Sequence, residues 1–245
     1  MTPAVQRIAE ARDRTGILLD YDGTLAPIVT RPEEAAPAPG AREAIRALVG
    51  RFRLVGVVSG RPADELARLL DVEGVHFEGL YGLPPTPGTP DALLGRVDAA
   101  AHRIPGAWVE PKGITVAVHY RQADDPGMAR EVLVSSLAPL AADAGFDLIE
   151  GKMVFELAPA GESRKGGVVQ RLVRENELQG ALYAGDDLPD LEAFAALDRL
   201  AADGLATAKV AVGGAELPEP LASTADMVVE TPAHLVDLLR TLAAA

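Results

Sequence analysis

The chain has 245 residues, enough for one large domain or two small ones, and 48% of them are apolar, so a sizeable core can be buried. Acidic residues number 36 against 23 basic ones, a formal charge of −13, and a nucleic-acid binder needs the opposite balance to neutralise phosphates. Cysteine is absent, which removes disulfides and thiolate catalysis and leaves nothing that calls for an oxidising compartment.

Residues 1–14 form a short, charged amphipathic stretch without the apolar centre of a signal peptide, and no apolar run is long enough to span a bilayer. The expectation is a soluble cytoplasmic protein with neither membrane nor nucleic-acid partner. Residues 16–19 are an apolar run ending at Asp20 and predict a buried parallel strand. A Pro-rich loop over 31–40 leads to an amphipathic helix near 41–49. A second buried strand, Leu54–Val58, ends at Ser59-Gly60-Arg61-Pro62, and Pro62 suits the first turn of a helix running to Leu70. Further on, short strands are expected at 181–184, 205–212 and Met227–Val229, with a closing helix from about Ala233. Strand–helix alternation of this kind predicts an α/β fold with a doubly wound parallel sheet.

The middle of the chain differs. After a linker composition at 83–90, a helix near 92–102 precedes strands at 107–110 and 114–120, a helix at 127–142, and strands at 146–150 and 153–157. This order predicts a small α+β cap inserted into the α/β domain. The core would be split into 1–84 and 159–245, with the cap at 85–158.

The strongest motif is Asp20-Tyr21-Asp22-Gly23-Thr24-Leu25, directly after the first strand. Two carboxylates two residues apart at a strand's carboxyl end face the crevice where open α/β sheets bind ligands. One can attack phosphorus while the other gives and takes a proton, and Gly23 lets the backbone turn sharply beside a phosphate. The alternatives are a calcium loop, whose later ligand positions do not follow, or a plain Asp turn. Three later features are weaker alone. Ser59 could be a helix cap, Lys165 in Ser163-Arg164-Lys165-Gly166-Gly167 a surface lysine, and Asp186 or Asp187 in Gly185-Asp186-Asp187 a cap for the next helix.

Taken in order, these segments resemble the four motifs of the haloacid dehalogenase superfamily. The resemblance implies Asp20 as nucleophile, Asp22 as acid/base, Ser59 as a phosphoryl-binding hydroxyl and Lys165 as the neutralising cation. It also implies Mg²⁺ as cofactor, held by Asp20, Asp186 and the Asp22 backbone carbonyl. Thr24, Gly60, Arg61, Asp187 and Asp190 would support the phosphate site.

The insert is similar to the cap of trehalose-6-phosphate phosphatases. Val109-Glu110-Pro111-Lys112-Gly113 and His119-Tyr120-Arg121 match that family's E-x-K and H-Y-R segments, and the 151–157 run ending at Glu156-Leu157 resembles its final cap strand. The resemblance implies that Glu110, Lys112, His119, Arg121 and Glu156 contact the sugar, although alternating charges on a small sheet are also commonly its solvated face. The expected activity is Mg²⁺-dependent hydrolysis of trehalose 6-phosphate through a phospho-aspartate. The alternatives are another sugar phosphate as substrate, or a non-catalytic regulatory domain. One departure is Pro189, where the family's last motif usually has threonine. No protein partner is legible.

Overall fold

The computed structural model describes residues 1–83, 89–160, 164–214 and 217–245. Most of the expected linker, residues 84–88, and Ser163 of the lysine motif lie outside the described residues. The chain forms two compact units, residues 1–82 with 163–245, and residues 83–162.

The first unit is built on a six-stranded parallel sheet. Its strands are β1 (Thr15–Leu19), β2 (Leu54–Val58), β3 (His76–Glu78), β8 (Gly180–Gly185), β9 (Ala206–Val212) and β10 (Met227–Val229), in the order β10-β9-β8-β1-β2-β3. Every residue of β1 is buried because it is central and covered on both faces. Ile17 and Leu19 join the layer that includes Ile45 and Leu48 of α2 (Ala41–Leu48) and Leu235 and Leu239 of α9 (Pro232–Ala244). Leu18 points the other way, into the layer with Val169 and Leu172 of α6 (Lys165–Glu175) and Phe194 and Leu197 of α7 (Asp190–Ala202). Helices α1 (Pro3–Glu10), α3 (Ala63–Leu70) and α8 (Glu219–Thr224) complete the described α-helices of this unit. The chain winds outward from β1 to β3 and then from β8 to β10 on the other side, so the order reverses between β1 and β8. Ligands of open α/β sheets bind at that reversal, outside the strands' carboxyl ends.

The second unit is an antiparallel sheet of order β4-β5-β7-β6, formed by β4 (Trp108–Pro111), β5 (Val116–His119), β6 (Phe146–Gly151) and β7 (Val154–Pro159). Val116, Val118, Phe155 and Leu157 pack with Leu93 and Val97 of α4 (Asp91–Ala101) and Leu133 and Leu137 of α5 (Pro126–Ala144). The α5 boundaries have local causes. Asp125 accepts a hydrogen bond from Met128 N at 2.9 Å, and Gly145 ends the helix with φ 72°. Because strand side chains alternate, covering one face with helices leaves Trp108, Glu110, Ala117, His119, Val154 and Glu156 together on the other. Among the elements not anticipated are β3, a three-residue strand without an apolar run, and the six-residue helix α8.

Candidate active site

Asp20 follows β1 and continues its ladder by donating N–H to the Ala184 carbonyl of β8 at 2.9 Å. Its carboxylate is buried and meets Lys165 Nζ at 2.8 Å. Lys165 opens α6 and is itself only 4% exposed, which removes the surface-lysine alternative. Such depth requires α6 and α7 to approach closely: a Cβ on Gly166 would lie 2.5 Å from the Glu192 carbonyl oxygen.

Lys165 also donates to Asp190 Oδ1 at 2.6 Å, and Asp190 ties the region together. The same oxygen accepts from the Tyr183 hydroxyl at 2.7 Å, while Oδ2 accepts from the backbone N–H groups of Asp186 and Asp187 at 2.9 and 3.0 Å. Four donors match the acceptor capacity of a carboxylate. Gly185 has no side chain because Asp190 occupies that space: a Cβ there would lie 2.2 Å from Asp190 Cγ.

Asp186 stands after β8, across the reversal from Asp20, and Thr24 Oγ1 donates to its Oδ1 at 3.0 Å. Gly23, with φ 79°, passes so close that a Cβ would lie 2.0 Å from Asp186 Oδ2. Carboxylate oxygens of Asp20, Asp186 and Asp190 all lie within 4.8 Å of one another. Three buried carboxylates beside one ammonium leave excess negative charge. Burial pushes the Asp20 carboxyl well above its usual range; Lys165 opposes this, and Asp190 and Asp186 add to it. Burial pulls against the Lys165 charge, but Asp190 and Asp20 more than offset it and hold the ammonium form. A hard divalent cation with oxygen ligands fits such a set. Asp190 is already saturated, which leaves Asp20 and Asp186 as the side chains suited to hold it.

Asp22 lies outside that cluster. Its carboxylate receives a bidentate pair from Arg61, Nε to Oδ2 at 2.7 Å and Nη2 to Oδ1 at 2.8 Å. Arg61 is buried, also bonds Glu65 and the Pro32 carbonyl, and stands 5.5 Å over the Tyr21 ring. Burial and the Asp22 charge push the Tyr21 hydroxyl up to about 12. Ser59 is buried at the end of β2, three residues ahead of the Pro62 cap of α3, so it is no helix cap. Its Oγ accepts from the Arg61 N–H at 3.2 Å, across Gly60.

On the face of the second sheet opposite its helices, His119 Nε2 meets Glu110 Oε2 at 2.8 Å and its ring stacks on Trp108, with centroids 4.2 Å apart. Lys112 Nζ stands 3.7 Å from both Glu110 and Glu156, over the small Ala117 that separates them in the β4-β5-β7 row. The Thr115 hydroxyl donates to Glu156 Oε1 at 2.7 Å. Arg121 turns instead to the Lys152 carbonyl at 3.0 Å. Sheet register thus brings Glu110, Lys112, His119 and Glu156 into one group, with Arg121 at its margin.

Comparison with known proteins agrees with this geometry. The sequence profile of the Trehalose-phosphatase family matches residues 18–83 and 97–218. The chain belongs to the trehalose-phosphatase family. Among its relatives is the trehalose-phosphate phosphatase of Mycobacterium avium, 31% identical over 74% of this chain and 51% of that protein. The trehalose-6-phosphate phosphatase of Escherichia coli K12 is 28% identical over 93% of this chain and 89% of its own length. The C-terminal domain of Candida albicans trehalose-6-phosphate phosphatase shares the fold, with a TM-score of 0.83, 22% identity, and coverage of 99% and 96% of the two chains. The chain spans about half or less of the length of the first relatives it matches.

As a trehalose-phosphatase family member, the chain departs at Pro189. That residue adopts φ −57° and ψ −23°, a helical conformation just before α7, so the backbone accommodates it. The turn is held by side-chain acceptors: Asp187 Oδ1 takes the Leu188 N–H at 2.8 Å, and Asp190 takes the two N–H groups before it. Sequence reasoning missed Tyr183, Glu65, Thr115 and Trp108. The only signal for Tyr183 is an aromatic ring interrupting a strand otherwise made of Gly, Ala and Leu.

Proposed function

We propose that the chain hydrolyses trehalose 6-phosphate to trehalose and phosphate through a phospho-aspartate on Asp20. The observation that carries this reading is the buried Asp20–Lys165 pair beside Asp186 at the reversal between β1 and β8. In a member of the trehalose-phosphatase family, retention of these groups speaks for a catalyst rather than a regulatory domain.

Asp20 and Asp186, with the Asp22 backbone carbonyl, would hold Mg²⁺. Bound there, it offsets carboxylate charge and polarises a phosphate oxygen. Asp20 attacks phosphorus, and the phosphorus–sugar oxygen bond breaks as Asp22 delivers a proton to the departing oxygen. Lys165 balances charge on the phosphoryl oxygens, and the Ser59 hydroxyl donates to one of them. Asp22, now a carboxylate, takes a proton from water as that water displaces Asp20 from phosphorus. The Arg61 fork occupies both oxygens of that carboxylate, so the acid half requires the Arg61–Asp22 pair to open.

Trehalose has no charge beyond its phosphate, so selection for it rests on directional hydrogen bonds. Glu110, Lys112, His119, Arg121 and Glu156 supply donors and acceptors suited to sugar hydroxyls. The test is phosphate release from a panel of sugar phosphates with Mg²⁺. A clear preference for trehalose 6-phosphate is expected. An equal or better rate with sucrose or hexose phosphates would reassign the substrate, and no release from any would favour a regulatory domain.

A further inference from the structure

We propose that Trp108 is a positioning residue of the sugar-reading face, fixing the plane in which His119 is presented. The inference rests on the substrate reading above and extends it to a residue outside the E-x-K and H-Y-R segments.

Trp108 is the chain's single tryptophan. It lies directly across from His119 in the β4–β5 pair, and the two rings stack with centroids 4.2 Å apart and planes 13° from parallel. An imidazole on its own turns broadly about its outer torsion, because that bond joins sp³ to sp² carbon. Two contacts restrict it here, and both come from β4. The indole sets the ring plane, and Glu110, two residues along the same face, fixes the direction of Nε2 at 2.8 Å. Across the other neighbouring strand, His119 faces Val154, whose methyl groups offer no directional contact. Glu110 is also shared with Lys112, at 3.7 Å, so the hydrogen bond alone leaves the plane to whichever partner Glu110 serves. The stack does not depend on that choice. Among the described residues, the charged groups on this face are Glu110, which meets the ring, Lys112 beside Glu110, and Glu156 on β7 beside Lys112, while Arg121 just after β5 turns to the Lys152 carbonyl.

The stack supplies its own readout, because a protonated imidazole quenches the indole it touches. In the wild type, tryptophan emission should fall as pH is lowered from about 8 to 5, the range in which histidine titrates. In His119→Asn it should stay flat. Kinetics with Mg²⁺ present test the consequence. Trp108→Leu should raise KM for trehalose 6-phosphate about tenfold with kcat within about twofold, and Trp108→Phe should recover most of the loss. p-Nitrophenyl phosphate, which carries no sugar, should be turned over equally by all three proteins. A folded Trp108→Leu with unchanged KM overturns the proposal, as does parallel loss on both substrates without rescue by phenylalanine. Should the wild type release no phosphate from trehalose 6-phosphate, the substrate reading falls and emission alone decides. A pH-dependent signal that disappears in His119→Asn then supports the stack, and a flat wild-type signal overturns it.

Discussion

Asp190→Asn tests whether one buried carboxylate holds the crevice together. The native group accepts two hydrogen bonds on each oxygen, from Lys165 at 2.6 Å and Tyr183 at 2.7 Å, and from the Asp186 and Asp187 N–H groups at 2.9 and 3.0 Å. Asparagine has the same size but only one acceptor oxygen, so its NH₂ must face a pair of donors whichever way the amide turns. Two hydrogen bonds are lost, and the buried Lys165 ammonium keeps only one of its two carboxylates. Removing one partner of a buried pair costs about 3–5 kcal/mol. The displaced donors add about 1–3 kcal/mol each, and relief of the repulsion between Asp190 and Asp20 returns part of this. A net loss of about 3–5 kcal/mol should lower Tm by roughly 6–20 °C in a chain of this size. Thermal unfolding followed by circular dichroism measures it. Tyr183→Phe serves as control, since it removes one donor and should cost only about 1 kcal/mol. A Tm within about 3 °C of wild type for Asp190→Asn would refute the argument.

Asp20→Asn should leave under about 1% of turnover, as loss of a nucleophile typically costs several orders of magnitude; higher residual activity in a clean preparation would exclude Asp20 as nucleophile. The same variant carries a pH signature. Because the folded Asp20 carboxyl is raised, its contribution to stability is present below the unfolded value of about 3.9 and is lost as pH rises through the folded one. In metal-free protein near neutral pH, Asp20→Asn should therefore lose clearly less Tm than Asp190→Asn, although each takes one carboxylate from Lys165, and an equal or larger loss would contradict the burial argument. Chelation with EDTA should abolish activity and Mg²⁺ should restore it, so full activity after exhaustive chelation removes the metal from the mechanism. Asp22→Asn should slow trehalose 6-phosphate hydrolysis more than that of an activated aryl phosphate, whose leaving group needs little protonation. Equal losses, with dephosphorylation shown not to limit the rate, would make Asp22 structural. Gly23→Ala should reduce kcat at least about tenfold, because the new methyl group would fall on Asp186 at a backbone angle that disfavours alanine. Activity within twofold of wild type would show that the Asp186 carboxylate can move aside without consequence.

Where a signal is local, the sequence carried it. Apolar runs short enough for strands, each ending in Asp20, Ser59 or Gly185, announced β1, β2 and β8, because a strand covered on both faces must be apolar throughout. Alternation in 114–120 likewise announced β5, with His119 opposite its core-facing residues. β3 escaped because His76-Phe77-Glu78 is too short and too polar to form a pattern; its place comes from pairing with β2. The sequence by itself determined the fold class, the inserted cap and the order of the motifs, since each depends on composition and spacing within a few residues. Only the tertiary structure decided that Asp190 bonds Lys165 and Tyr183, that Arg61 grips Asp22, and that Trp108 lies on His119. These contacts join residues 7 to 39 positions apart, and whether two such side chains meet is set by strand register and helix packing, which local pattern does not encode.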